Sequence, residues 1–141
     1  GWINKNTDYW TRICDEYKGV DIYLENMFDD TPVMLKRLSE NLSGKDNFGV
    51  CLDYAHANVF GNNADEFVKE LSDFTKHLHI NDNDLKDDLH LAIGDGKIDW
   101  NHFKKFFEED FKNVKSILIE TSEINSQRKS AEYLKALGVL N

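Results

Sequence analysis

Phe48-Gly49-Val50-Cys51-Leu52-Asp53-Tyr54-Ala55-His56 is the stretch whose reading decides the fold. Its first six residues are a short, largely apolar run that stops on an acidic residue, as a strand does when it runs through a core and ends at a polar rim. Three further runs repeat the pattern: Val20-Asp21-Ile22-Tyr23-Leu24-Glu25, His77-Leu78-His79-Ile80-Asn81 and Ser116-Ile117-Leu118-Ile119-Glu120. Helix-like segments surround them, at roughly Asp8–Tyr17, Pro32–Leu42, Ala64–Thr75, Trp100–Phe111 and Ser126–Leu137. Thr31 before Pro32 and Asp99 before Trp100 are suited to opening two of these helices. Alternating strands and helices predict an α/β architecture, a parallel sheet with helices outside it, and no Pro-rich or Ser-rich linker divides the chain.

Side chains alternate across a strand, so Glu25, Asp53 and Glu120 each fall opposite an aliphatic pair: Ile22 with Leu24, Val50 with Leu52, and Ile117 with Ile119. The aliphatic face must meet the helices. On the remaining strand His77, His79 and Asn81 share the other face, which puts a histidine in the equivalent place. A lone carboxylate at a strand end is ordinarily a solvated loop charge or a helix cap, but four ligand-type residues in matching places argue for a shared task. Three carboxylates and one imidazole suit Mn²⁺, Mg²⁺, Co²⁺ or Zn²⁺ better than a soft copper site. Burying the three carboxylates together without a cation would be very costly.

The 26 Asp and Glu outnumber the 17 Lys and Arg, for a formal charge of −9, which disfavours a nucleic-acid partner. Cys14 and Cys51 are too few for a disulfide framework and point to a reducing, cytoplasmic setting. No apolar stretch approaches the roughly 20 residues of a membrane span. The long connection from Asp82 to Asp99 is crowded with Asp, Asn and Gly, and loops of that length are usually functional. Gly94 and Gly96 read as a turn beside a substrate rather than a phosphate cradle, for want of strand-turn-helix context. The Trp2, Trp10, Trp100 and Phe103, Phe106, Phe107 aromatics read as core-facing, His77 as a deeper packing residue, His102 as a surface residue, and Glu108-Glu109-Asp110 as a solvated helix face.

Several of these segments, taken in order, resemble the last four strand ends of the xylose-isomerase-like barrels. They are Leu24-Glu25-Asn26, Asp53-Tyr54-Ala55-His56, His79-Ile80-Asn81-Asp82, Asp88-Leu89-His90 with Ile93-Gly94-Asp95-Gly96, and Ile119-Glu120. The resemblance implies that residues 1–141 form one partial domain, the C-terminal half of a (β/α)₈ TIM barrel, with four parallel strands (strands 5–8) and outer helices. A whole barrel of this kind runs to about 250 residues, so a fragment is expected, or a natural half that self-associates through open barrel edges.

The resemblance further makes Glu25, Asp53, His79 and Glu120 the ligands of one divalent metal, Mn²⁺ or Zn²⁺ foremost, with Mg²⁺ and Co²⁺ as alternatives. It implies a sugar or sugar-phosphate isomerase or epimerase, working by proton transfer through a metal-stabilised enediolate. Glu25 and Glu120 would move the proton and His56 would orient a substrate hydroxyl. In the endonuclease IV branch of the same group, His56, Asp88 and His90 would instead hold an additional zinc, and the chain would be a phosphodiesterase on abasic DNA. A third reading is an inactive barrel half that serves as a binding module.

Overall fold

The computed structural model describes residues 1–141. Helix α1 (Trp2–Glu16) leads to strand β1 (Ile22–Glu25), helix α2 (Val33–Asn41) and strand β2 (Phe48–Asp53). Two short helices follow, α3 (Tyr54–Val59) and α4 (Ala64–Leu71), with a 3₁₀ turn at Ser72–Phe74 before β3 (Thr75–Ile80). The long connection then reaches α5 (Trp100–Glu109), β4 (Ser116–Ile119) and α6 (Ile124–Leu137).

The four strands form one parallel sheet in the order β1-β2-β3-β4, the expected partial barrel wall with helices outside it. Neighbouring strands are hydrogen-bonded in chain order because each return passes through a helix that covers one face. Register sets Glu25 beside Cys51, Asp53 beside His79, and Ile80 beside Ile119. All four strand tips therefore reach one rim.

Val50, Leu52, Leu78 and Ile80 pack outward against Phe67, Leu71, Trp100 and Phe103 in the main core. Each such side chain contributes about 1.5–3 kcal/mol by leaving water. A smaller core under α1 and α2 gathers Cys14, Leu38, Leu42 and Phe48. The opposite face is thinly covered: Leu118 is 44% exposed there, and β1 and β4 are edge strands.

Several local expectations need correction. Helix α1 begins at Trp2 rather than near Asp8, and Trp2 is 54% exposed instead of core-facing. Thr31 makes no cap, because α2 opens from Pro32 without a side-chain bond, whereas Asp99 accepts from the His102 amide as expected. Helix α3 lies in a segment too short to show a helical period; it is a single turn and a half, held by the Asp53 cap and a buried Tyr54-Ala55-His56 face.

Candidate metal centre

Asp53 ends β2 and caps α3 at once, its Oδ1 accepting from the His56 amide at 2.8 Å. This cap turns the chain so that His56, one helical turn on, returns over the strand tips. The other three strands deliver Glu25, His79 and Glu120 to the same place. Donor atoms of Glu25, Asp53, His79 and Glu120 all lie within 4.8 Å of one another. His79 Nδ1 faces two carboxylates, 3.1 Å from Glu25 Oε1 and 3.5 Å from Glu120 Oε2.

A second group adjoins the first, with donor atoms of His56, Asp88 and His90 also within 4.8 Å of one another. His56 Nδ1 donates to the Asn26 carbonyl and His90 Nδ1 to the Glu120 carbonyl, each at 2.9 Å, because a carbonyl can only accept. In a neutral ring that leaves the lone pair on Nε2. Both Nε2 atoms approach Asp88 Oδ2, at 3.3 and 3.1 Å, so two lone pairs meet a carboxylate. A proton on each ring or a shared cation resolves the conflict.

The electrostatics agree with that geometry. Burial pushes the Asp53 carboxyl up to about 7, against the lowering effect of the His56 amide. Burial also works against charging His56, yet Asp53, the Asn26 carbonyl, Asp88 and Glu25 outweigh it and raise its pKa. His90 is raised in the same way, by the Glu120 carbonyl and Asp88 acting against its burial. Asp53 Oδ2, Asp88 Oδ1 and Glu120 Oε2 are buried with no hydrogen-bond partner. Orphaned carboxylate oxygens gathered around imidazoles fit a divalent cation, since without one their desolvation is uncompensated.

The family of xylose isomerase-like TIM barrels matches residues 4–137. This chain belongs to it. An uncharacterized protein of Methanocaldococcus jannaschii is 37% identical over 133 residues, covering 87% of this chain and 44% of that protein. Apurinic-apyrimidinic endonuclease 1 of Plasmodium falciparum is 32% identical over 153 residues, covering 93% of this chain and 26% of its own length. Among solved structures, a D-tagatose 3-epimerase-like protein is 31% identical with a TM-score of 0.78, over 96% of this chain and 54% of that one. The chain thus spans about half the length, or less, of the curated relatives it matches. No helix is long and apolar enough to cross a membrane.

Two residues that hold this xylose isomerase-like rim together were not singled out from the sequence. Asn26 is buried and clasps Asp53 from both sides, its Nδ2 donating to the Asp53 carbonyl at 2.9 Å and its Oδ1 accepting from the Asp53 amide at 2.8 Å. Asp82, fully buried, accepts from the amides of Asn83, Ile98 and Gly94 and from the Trp100 indole. It ties down the connection that carries Asp88 and His90. Gly94 takes a φ of +93° in that wrap, and a Cβ on Gly96 would sit 2.3 Å from Asp82 Oδ1. The Gly-x-Gly therefore fits the chain around Asp82.

The other flagged residues fall outside both groups. His77 donor atoms cluster with Cys51 and His79 deeper on the inner face, and burial together with His79 lowers its pKa. Burial and three neighbouring carboxylates raise the Cys51 thiol, which keeps it protonated. His102 pairs with Asp65 at the surface, 3.0 Å away.

Proposed function

We propose that the protein is a divalent-metal-dependent isomerase or epimerase of a sugar or sugar phosphate, its four strands being strands 5–8 of an eight-stranded barrel. The observation that carries this reading is the pair Glu25 and Glu120, which approach one His79 nitrogen from non-adjacent strands at 3.1 and 3.5 Å. Two carboxylates so placed can serve a carbon between them from two sides. One takes the proton beside a carbonyl and the other returns a proton. Glu25, Asp53, His79 and Glu120 would hold the cation, which when bound polarises substrate oxygens and offsets the negative charge that develops on them. His56 commits Nδ1 to the Asn26 carbonyl, so Nε2, which faces Asp88 Oδ2 at 3.3 Å, is the nitrogen left to meet a substrate hydroxyl. The likeness to a D-tagatose 3-epimerase-like protein over nearly the whole chain supports the same choice.

One observation favours a second reading. The His56, Asp88 and His90 group is a three-ligand set of the kind that binds zinc, and a relative is an apurinic-apyrimidinic endonuclease. An endonuclease IV-like zinc phosphodiesterase would use both groups.

The deciding experiment takes the protein at its full natural length, loaded with Mn²⁺ or Zn²⁺, to a panel of ketoses and ketose phosphates and to abasic DNA. Sugar interconversion that collapses with a chelator is expected. Cleavage of abasic DNA by a form holding several zinc ions, with sugars untouched, overturns the sugar reading.

A further inference from the structure

We infer that Cys51, His77 and His79 form a site for a thiophilic divalent cation of the Zn²⁺ class on the inner face of the sheet, and that filling it takes His79 away from the rim. The second clause rests on the metal-centre reading above; the first stands without it. Donor atoms of the three residues lie within 4.8 Å of one another. Cys51 and His77 are partners across β2 and β3, and His79 is the next inner residue along β3.

Cys51 is 3% exposed yet packs in neither hydrophobic core, whereas its neighbours Val50 and Leu52 and the other cysteine, Cys14, all do. A buried cysteine is usually a small apolar filler. Here the thiol lies among imidazoles instead. Both rings are half-buried, so an ion reaches them from the inner face without opening either core.

The rings are held as ligands are. Ser116 Oγ lies 2.7 Å from His77 Nδ1, and Tyr23 stacks on the same ring with centroids 6.1 Å apart. An Nδ1–H that donates to the hydroxyl leaves the lone pair on Nε2. Glu25 Oε1 fixes His79 in the same sense, 3.1 Å from its Nδ1. Ligating histidines commonly give their other N–H to an oxygen acceptor in this way. A tetrahedral Zn²⁺ holds its ligands at about 2.0–2.3 Å, which sets them roughly 3.5 Å apart and leaves a fourth position for water. The ion deprotonates the thiol it binds, which offsets the burial that otherwise keeps Cys51 protonated.

The thiolate sets the preference. With two imidazoles it selects Zn²⁺ over Mn²⁺ or Mg²⁺, which suit the carboxylates of the rim. A neutral His79 has one lone pair: on Nδ1, facing Glu25 and Glu120, it serves the rim, and on Nε2 it serves the inner site. The two sites therefore exclude each other, and a thiophilic ion antagonises the rim ion.

The test uses the full-length protein stripped of metal. Co²⁺, a spectroscopic stand-in for Zn²⁺, should give a thiolate-to-metal charge-transfer band in the near ultraviolet that is absent in Cys51→Ser and weakened in His77→Gln. Zn²⁺ added to the Mn²⁺-loaded protein should release Mn²⁺, read as the paramagnetic resonance signal of the free ion. Cys51→Ser should need at least about tenfold more Zn²⁺ for half release. If Cys51→Ser does not fold, His77→Gln carries both measurements. No such band in the wild type, or one that survives Cys51→Ser unchanged, overturns the inner site. A band lost in Cys51→Ser, with Mn²⁺ released at the same Zn²⁺ concentration as from wild type, overturns the exclusion alone. A wild type that binds no Mn²⁺ overturns the metal-centre reading, and the band then decides the inner site by itself.

Discussion

Replacing Asp82 with Asn probes how the connection between β3 and α5 is held. The carboxylate accepts four bonds in two pairs: Oδ1 from the amides of Asn83 at 2.9 Å and Ile98 at 3.2 Å, and Oδ2 from the Gly94 amide at 2.9 Å and the Trp100 indole at 2.8 Å. An amide can satisfy only one pair, because in either orientation its NH₂ is turned against two donors. Two bonds to a charged acceptor are then lost, at about 1.5–3 kcal/mol each, so Asp82→Asn should destabilise the protein by about 3–6 kcal/mol. Asp95→Asn on the same connection removes only an exposed pairing with Lys129 and should cost less than about 1 kcal/mol. Denaturant unfolding of the full-length protein gives both values, and hydrogen exchange over residues 83–98 reports where the loss falls. Protection should drop across that connection first, and with it the grip on Asp88 and His90. Stability within about 1 kcal/mol of wild type, with residues 83–98 as protected as before, would refute the role assigned to Asp82.

On the proposed sugar reading Glu120→Gln would remove an acid/base group and a ligand together and should lower sugar turnover by several orders of magnitude, while His90→Ala should do less; loss of one zinc and of abasic-DNA cleavage in His90→Ala would reverse that ranking of functions. A pH series should separate the metal-free and Mn²⁺-loaded proteins. The raised carboxyl of Asp53, at about 7, and the raised pKa of His56 both stabilise the metal-free form on the acid side, and that stability is lost as pH rises through their folded values. A cation needs Asp53 ionised, so the melting-temperature gain from Mn²⁺ should widen from pH 5 to pH 8; a gain that stays flat or narrows contradicts the assignment of Asp53 as a ligand.

What the sequence made legible follows from periodicity. A two-residue repeat assigns each strand side chain to a face without knowledge of its partners, so Ile22, Val50, Leu78 and Ile117 could be set outward and Glu25, Asp53, His79 and Glu120 inward before any contact was known. The alternation of strands and helices then fixed parallel order, and the residues met at one rim because parallel strands end on the same side. Periodicity stops where the strands stop. Helix α3 is too short to show a helical repeat, and its start depends on one cap, Asp53 to the His56 amide. Asn26 and Asp82 lie past the ends of β1 and β3, where a two-residue repeat no longer tells which side chains are buried.

The importance of Asn26 and Asp82 comes from bonds across 12 to 27 residues of chain, such as Asn26 to Asp53 or Asp82 to Gly94 and Trp100, and such pairings leave no local pattern. The same division explains where the chemistry sits. A strand tip gives a donor atom a fixed direction, which a metal ligand needs, and Glu25, Asp53, His79 and Glu120 all come from tips. Asp88 and His90 ride on a connection with no strand or helix of its own, and His90 holds a φ of +50° there. A non-glycine residue keeps that conformation only where its surroundings over-determine it. The surroundings that do so are the Glu120 carbonyl on Nδ1 and the loop wrapped around Asp82, so the second group depends on a buried carboxylate that never touches it.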